Sequence, residues 1–284
     1  MRINFELEDL EQYAITYLSL GAGVQSSCLF YMACIGDPIM PKIDFAVFSD
    51  TGDEPQYVYK QLEYLQNLGK KYNIPVFIVS KNDKPMSYDI FNPGVNRFAS
   101  VPGFTKNPDG SIGMLRRQCT GEYKIQPIVK FLKRHMGFKK GMRIMNKGIP
   151  IVRVLSIQGI SLDEIQRMKE PLDKWQDVGY PLVHARMNRQ ACHKWIDNSE
   201  FQQVEKSACV YCPFHGNNEW KAVKECKEDW ELALRVDEAI RDSSKKGASN
   251  PIYLHRSCKP LKDIDFDDHM DDLFDNECDG ICGL

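Results

Sequence analysis

The sequence predicts an α/β protein: a mainly parallel, doubly wound sheet of Rossmann-like type with a helical C-terminal lobe. Three observations predict it. Short apolar runs rich in β-branched and aromatic residues alternate with stretches of helical periodicity, the first run ends in Gly21-Ala22-Gly23, and the pattern turns helical from Tyr180 onward. At 284 residues the chain can bury one large core or two smaller ones, with an expected boundary between residues 175 and 176.

Ala14–Leu20 (AITYLSL) reads as a buried strand and Val24–Ile35 as the helix that follows it. Ile43–Phe48 reads as a second strand, running into Asp50-Thr51-Gly52. After Glu54-Pro55 a helix is expected through Leu62, Leu65 and Leu68. Ile74–Ser80 is the third strand and Ile151–Ile157 the fourth. Lys81–Leu115, rich in Pro, Gly, Asn and Lys, reads as a long, partly irregular connection, the kind that forms lids and binding loops. Tyr123–Met136 reads as an amphipathic helix turning Ile125, Ile128, Val129 and Leu132 to the core.

Composition removes several classes. The chain is 43% hydrophobic and 27% charged, and no stretch approaches the roughly 20 apolar residues of a membrane span. The first residues, MRINFELEDLEQY, carry acids where a signal peptide carries positive charge, so the expected location is the cytoplasm. Ten cysteines in that compartment point to metal ligation or redox chemistry rather than disulfides. Neither a Ser-His-Asp pattern nor HExxH supports a hydrolase of those types. From Arg116 to Arg153 eleven Lys/Arg stand against one acid, Glu122, and Asp263–Asp279 holds nine acids and no Lys/Arg. The basic segment suits an anionic substrate or nucleic acid, or it and the acidic tail are two solvated faces.

Ser19-Leu20-Gly21-Ala22-Gly23-Val24-Gln25-Ser26-Ser27 sits where a strand enters a helix, in small and hydroxyl residues. Ligands of open α/β sheets bind beyond the carboxyl ends of the strands, and a helix start offers unpaired N–H groups to an anion. A phosphate or sulfate is the natural guest. Gly21-x-Gly23-x-x-Ser26 also approaches the dinucleotide fingerprint but lacks its third Gly or Ala.

This stretch resembles the PP-loop of the adenine-nucleotide α-hydrolase superfamily, Ser-Gly-Gly-x-Asp-Ser, with Ala22, Gly23 and Ser26 on Gly, Gly and Ser. Gln25 takes the Asp position, as in the Gly-x-Gln of PAPS and APS reductases. Asp50-Thr51-Gly52 resembles that family's Asp-Thr-Gly near the adenosine. Cys119-Thr-x-x-Tyr-Lys124-Ile-x-Pro127 resembles its Cys-x-x-x-Lys segment. Gly159-Ile-Ser161-Leu-Asp163-Glu164-Ile-Gln-Arg167 is similar to its Gly-x-Arg-x-x-Glu-Ser-x-x-Arg segment, with Ser161 in place of the first Arg. The chain is thus similar to the PAPS reductase-like family, over roughly residues 14–215, especially its phage and bacterial iron–sulfur members.

The resemblance implies a PP-loop nucleotide-binding domain over 1–175 and a cysteine-rich helical lobe over 176–284. It implies that Ser19, Gly21, Ala22, Gly23, Gln25, Ser26, Ser27, Asp50, Thr51, Gly52, Lys124, Gly159 and Arg167 bind the nucleotide, either ATP with Mg or PAPS/APS.

Cys209-x-x-Cys212-Pro has the tight spacing that aims two thiolates at one metal. The resemblance implies that Cys119 joins this pair and that the metal is iron, so that with Cys192 the four make the expected ligand set of a [4Fe-4S] cluster, with zinc as the rival. Cys192 is equally readable as a packing residue, in which case Cys278 or Cys282 replaces it or three cysteines hold a cluster with one open iron. Cys28 and Cys34 read as core. His215 reads as a hydrogen-bonded structural residue or a ligand. Glu277-Cys278 near the C-terminus resembles the Glu-Cys-Gly tail of sulfonucleotide reductases, which implies Cys278 as nucleophile and Cys282 as resolving thiol.

Three functions follow. In the first, a thiolate reduces a sulfonucleotide, with thioredoxin or a similar thiol partner. In the second, ATP adenylates a tRNA or DNA, held by segment 116–153, for thiolation through the cluster. In the third, a non-catalytic iron–sulfur protein senses the nucleotide.

Overall fold

A computed structural model of the chain describes residues 13–92, 101–115, 118–139, 141–146, 149–171, 173–242 and 250–267. The described residues begin with β1 (Ile15–Leu20), α1 (Val24–Ile35), β2 (Phe45–Asp50), α2 (Gln56–Tyr72), β3 (Val76–Ser80) and α3 (Met86–Phe91). Next come β4 (Phe104–Lys106), β5 (Ile112–Met114), a π-helical turn (Thr120–Ile125), α4 (Gln126–His135), β6 (Met145–Asn146) and β7 (Ile149–Pro150). Among the described residues there follow β8 (Val154–Gln158), a 3-10 turn (Leu162–Arg167), β9 (Gln176–Gly179), α5 (Pro181–His184), α6 (Arg189–Asp197), α7 (Asn217–Glu225), α8 (Lys227–Arg241), β10 (Ile252–Tyr253) and a second 3-10 turn (Leu261–Asp263).

Five parallel strands form the central sheet in the order β3-β2-β1-β8-β9. Side chains alternate between its two faces, as the two-residue period of a strand requires. Leu18, Ala46, Phe48, Leu155 and Ile157 meet one core with α1, α2 and α6. Ile15, Tyr17, Phe45, Val47 and Val154 meet a second core with Ile128 and Leu132 of α4. Helices on both faces explain why β1, β2 and β8 read as near-continuous apolar runs. The strand order reverses at β1, which lies between β2 and β8, so the loops after β1 and β8 flank a switch point at the carboxyl edge.

Three stretches add to the sequence reading. The partly irregular connection over residues 81–115 carries α3 and the β4–β5 hairpin, turned at Asn107–Gly110 with Gly110 at φ 86°. That hairpin joins β10 in a second, three-stranded sheet. The helix expected over Tyr123–Met136 begins as a π turn, because Pro127 supplies no N–H to an α ladder running through it from upstream. A fifth strand, β9, extends the sheet past residue 175, and Cys192 and Ile196 of α6 lie in the sheet's own core. The C-terminal helices α7 and α8 close a separate apolar cluster over Met86, Tyr123 and Tyr211. Among the described residues no helix is long and apolar enough to cross a membrane.

Candidate functional site

The loop after β1 folds on itself. Ala22 adopts φ 57°, and the Ser26 hydroxyl accepts from Gly21 N (3.1 Å) while donating to the Gly23 carbonyl (3.2 Å). Ser26 therefore braces the turn, and Ser27 is wholly buried. Gly23 caps α1 without a side chain to accept from its first N–H groups, the arrangement an anion-binding helix start requires. Ser19 pairs in register with Gln158 of β8 beneath this loop.

The segment after β8 packs directly on the loop. A Cβ on Gly159 would stand 2.8 Å from Ser26 N and 3.0 Å from Ser26 Cα, so only glycine allows this approach. Gln25 is buried, and its amide donates to Ser161 Oγ and Glu164 Oε2, each at 3.3 Å. Glu164 in turn pairs with Arg167. Gln25, Ser161, Glu164 and Arg167 thus form one buried chain that fixes the loop from behind. A shallow hollow abuts Ala22, between Tyr57 and Gln61 of α2 and Gln202 and Glu205.

At the end of β2, Asp50 Oδ1 accepts from Gly52 N (2.7 Å) and from the Tyr59 hydroxyl (3.1 Å). Gly52, at φ 77°, lies where a Cβ would stand 2.7 Å from Pro85 Cα. Thr51 is buried, donates its hydroxyl to Glu54 Oε1 (3.0 Å), and opens on a small apolar hollow. Cys119, Cys209 and Cys212 line the same hollow, together with Lys124.

Two tethers bring these thiols together. The Ser49 hydroxyl donates to the Tyr123 carbonyl (2.8 Å), tying the π turn that follows Cys119 and carries Lys124 to β2. Asp53 holds the Cys209–Cys212 turn: its carbonyl accepts from Val210 N (2.9 Å), and its carboxylate accepts from the Tyr211 hydroxyl (2.6 Å) and from Ser87 N and Oγ. The turn itself closes through Cys212 N to the Cys209 carbonyl (2.9 Å). Cys209 Sγ lies 3.5 Å from Thr51 Oγ1 and 3.6 Å from Glu54 Oε1, and Lys124 Nζ reaches the same Glu54 oxygen at 3.6 Å. Burial, then the Glu54 carboxylate, pushes the Cys209 thiol well above its ordinary range, and Lys124 opposes this. Any metal taken up here displaces a proton from that sulfur.

Cys192 is elsewhere. It is wholly buried in the core between α1 and α6, in side-chain contact with Cys28, so packing accounts for it. Three soft thiols around an apolar hollow are donors suited to an iron–sulfur cluster or zinc. Among the described residues, no three His, Cys, Asp or Glu side chains stand at metal-ligand spacing. His215 contacts the Cys209 carbonyl through Nε2 (2.9 Å) and meets Trp220 edge-on at 4.7 Å, a structural placement. Cys278 and Cys282 lie outside the described residues.

Sequence reasoning passed over Asp53, Glu54 and Tyr211. The available signal was a run of acids, Asp53-Glu54, directly after Asp50-Thr51-Gly52 and ahead of an amphipathic helix. No protein-family model and no curated protein sequence matches the chain.

Proposed function

We propose that the sheet is the PP-loop form of the Rossmann-like fold, and that the chain binds an adenine nucleotide at its carboxyl edge and carries out sulfur chemistry there. The observation that carries this reading is the convergence of Cys119, Cys209 and Cys212 on the end of β2, one strand from the glycine loop after β1. The nucleotide's phosphate or sulfate takes the N–H groups at the start of α1. Thr51 and Gly52 border the adenosine, and Lys124 supplies positive charge to the hollow. A cluster or metal held by Cys119, Cys209 and Cys212 would supply electrostatic or redox support, with its fourth ligand from outside these three. In the reductive reaction the Cys278 thiolate attacks the sulfonucleotide sulfur, and the nucleoside phosphate leaves with the electron pair of the broken S–O bond. Cys282 or a thioredoxin-type thiol then attacks the adduct, releasing sulfite and leaving a disulfide.

One observation supports ATP-dependent thiolation of a nucleic acid as the second reading: among the described residues three cysteines line the hollow, the ligand count of a cluster with one open iron. Binding titrations on anaerobically purified protein separate the two. Tighter binding of adenosine 3′-phosphate 5′-phosphosulfate than of Mg-ATP supports reduction, and the reverse order supports thiolation. Binding of neither overturns the nucleotide reading.

A further inference from the structure

Of the described cations in the basic segment, Lys124 lies at the carboxyl edge but several others do not. α4 starts beside the end of β2 and runs back along the sheet until His135 packs against Phe45 and Phe77, at the amino ends of β2 and β3. Its last turn carries Lys133 and Arg134, and Lys139 and Arg143 follow before the strands that lead into β8. Lys174 precedes β9 at the same edge, where the Lys133 ammonium lies 5.6 Å from the Trp175 ring. A strand of six residues spans about 20 Å, so these cations stand roughly that far from the thiols.

Among the described residues none of the five forms an ion pair. Complementing the helix dipole accounts for Lys133 and Arg134, but Lys139, Arg143 and Lys174 lie on no helix end. Two large apolar side chains, Met142 and Ile151, are more than half exposed within the same strip. Unpaired cations interleaved with apolar side chains match a phosphodiester backbone, whose charges they neutralise with counterion release while the apolar groups meet sugars or bases.

We infer that this amino-terminal edge is a docking surface for nucleic acid, separate from the carboxyl-edge site. The inference stands whether or not the nucleotide reading holds, because it is tested with no nucleotide present.

The test is fluorescence anisotropy with labelled single-stranded RNA, DNA of the same sequence, and polyglutamate of equal charge, each over a salt series. The variant is Lys133→Gln/Arg134→Gln/Lys139→Gln/Arg143→Gln. The control, of equal charge change, is Lys224→Gln/Lys227→Gln/Lys259→Gln/Lys262→Gln. The expected result is nucleic-acid binding that the first variant weakens at least tenfold, with a salt slope shallower by about 3, while the control binds like the parent. The RNA and DNA arms identify the natural backbone. Should the variant fail to fold, lysine acylation of the parent protein reads the same surface, with Lys133, Lys139 and Lys174 protected by nucleic acid. Absence of binding at low salt, equal weakening by the control, preference for polyglutamate, or unprotected lysines each overturns the inference.

Discussion

Gln25 reaches Glu164 across the switch point, its amide donating to the buried carboxylate at 3.3 Å and so joining the first turn of α1 to the turn after β8. An aspartate at position 25, the superfamily's common residue by resemblance, would set a second carboxylate against Glu164. Gln25→Asp is therefore expected to cost about 2–4 kcal/mol, and Gln25→Leu about 1–3 kcal/mol through the lost donor. Urea unfolding of the two variants checks the order.

Gly159 and Gly21 differ sharply in room. Gly159→Ala meets backbone atoms of Ser26 at 2.8–3.0 Å, whereas the nearest atom to a Cβ on Gly21 is Ser26 Oγ at 3.6 Å. The first change should destabilise the fold by about 1–3 kcal/mol and weaken nucleotide binding. Gly21→Ala should leave stability nearly unchanged, and thermal unfolding with a nucleotide titration reads both effects.

The cysteines separate by role. Cys119→Ser, Cys209→Ser and Cys212→Ser are each expected to cut bound iron or zinc in anaerobically purified protein, measured by elemental analysis. Cys192→Ser should keep the metal but lose stability, because it puts a hydroxyl into a fully buried site against Cys28.

His215 and His255 set the acid limb of stability. Burial pushes both down to about 4. The unfolded chain, titrating near 6.5, takes up these protons first as the pH falls, so the stabilising contribution is whole above pH 6.5 and is lost between 6.5 and 4. Each residue contributes at most about 3 kcal/mol. Urea midpoints should drop between pH 7.5 and 5, and His255→Gln should flatten part of that drop.

Tyr211→Phe removes the 2.6 Å hydrogen bond that anchors the Cys209–Cys212 turn to Asp53. It should cost about 1–3 kcal/mol by leaving the buried Asp53 carboxylate a donor short, and it should lower metal retention. Calorimetry and metal content together distinguish this from a loss of fold alone.

Local patterns were legible in the sequence, and long-range ones were not. Val24–Ile35 coincides with α1 because an apolar run and a glycine boundary are local signals. β9 (QDVG) carries no apolar run. It is an edge strand held by backbone pairing to β8, so its residue types do not betray it. The β4–β5 turn did carry a signal, Asn107-Pro-Asp-Gly110, hidden within a stretch rich in other loop residues. Spacing identified the Cys209–Cys212 pair, and the resemblance of its segment pointed to Cys119 at the same hollow, but nothing in either says that Cys192 faces α1 instead. The basic segment read as one block because it is continuous in sequence; α4 distributes it along the sheet, from Lys124 at one edge to Arg143 at the other.

The most direct test of the central claim is product analysis on anaerobically reconstituted protein given either adenosine 3′-phosphate 5′-phosphosulfate with a thiol reductant or Mg-ATP with nucleic acid. The account predicts sulfite released in step with adenosine 3′,5′-bisphosphate, abolished by Cys278→Ser. Pyrophosphate from ATP without sulfite would contradict the reductive reaction in favour of thiolation, and release of neither product would contradict adenine-nucleotide sulfur chemistry altogether.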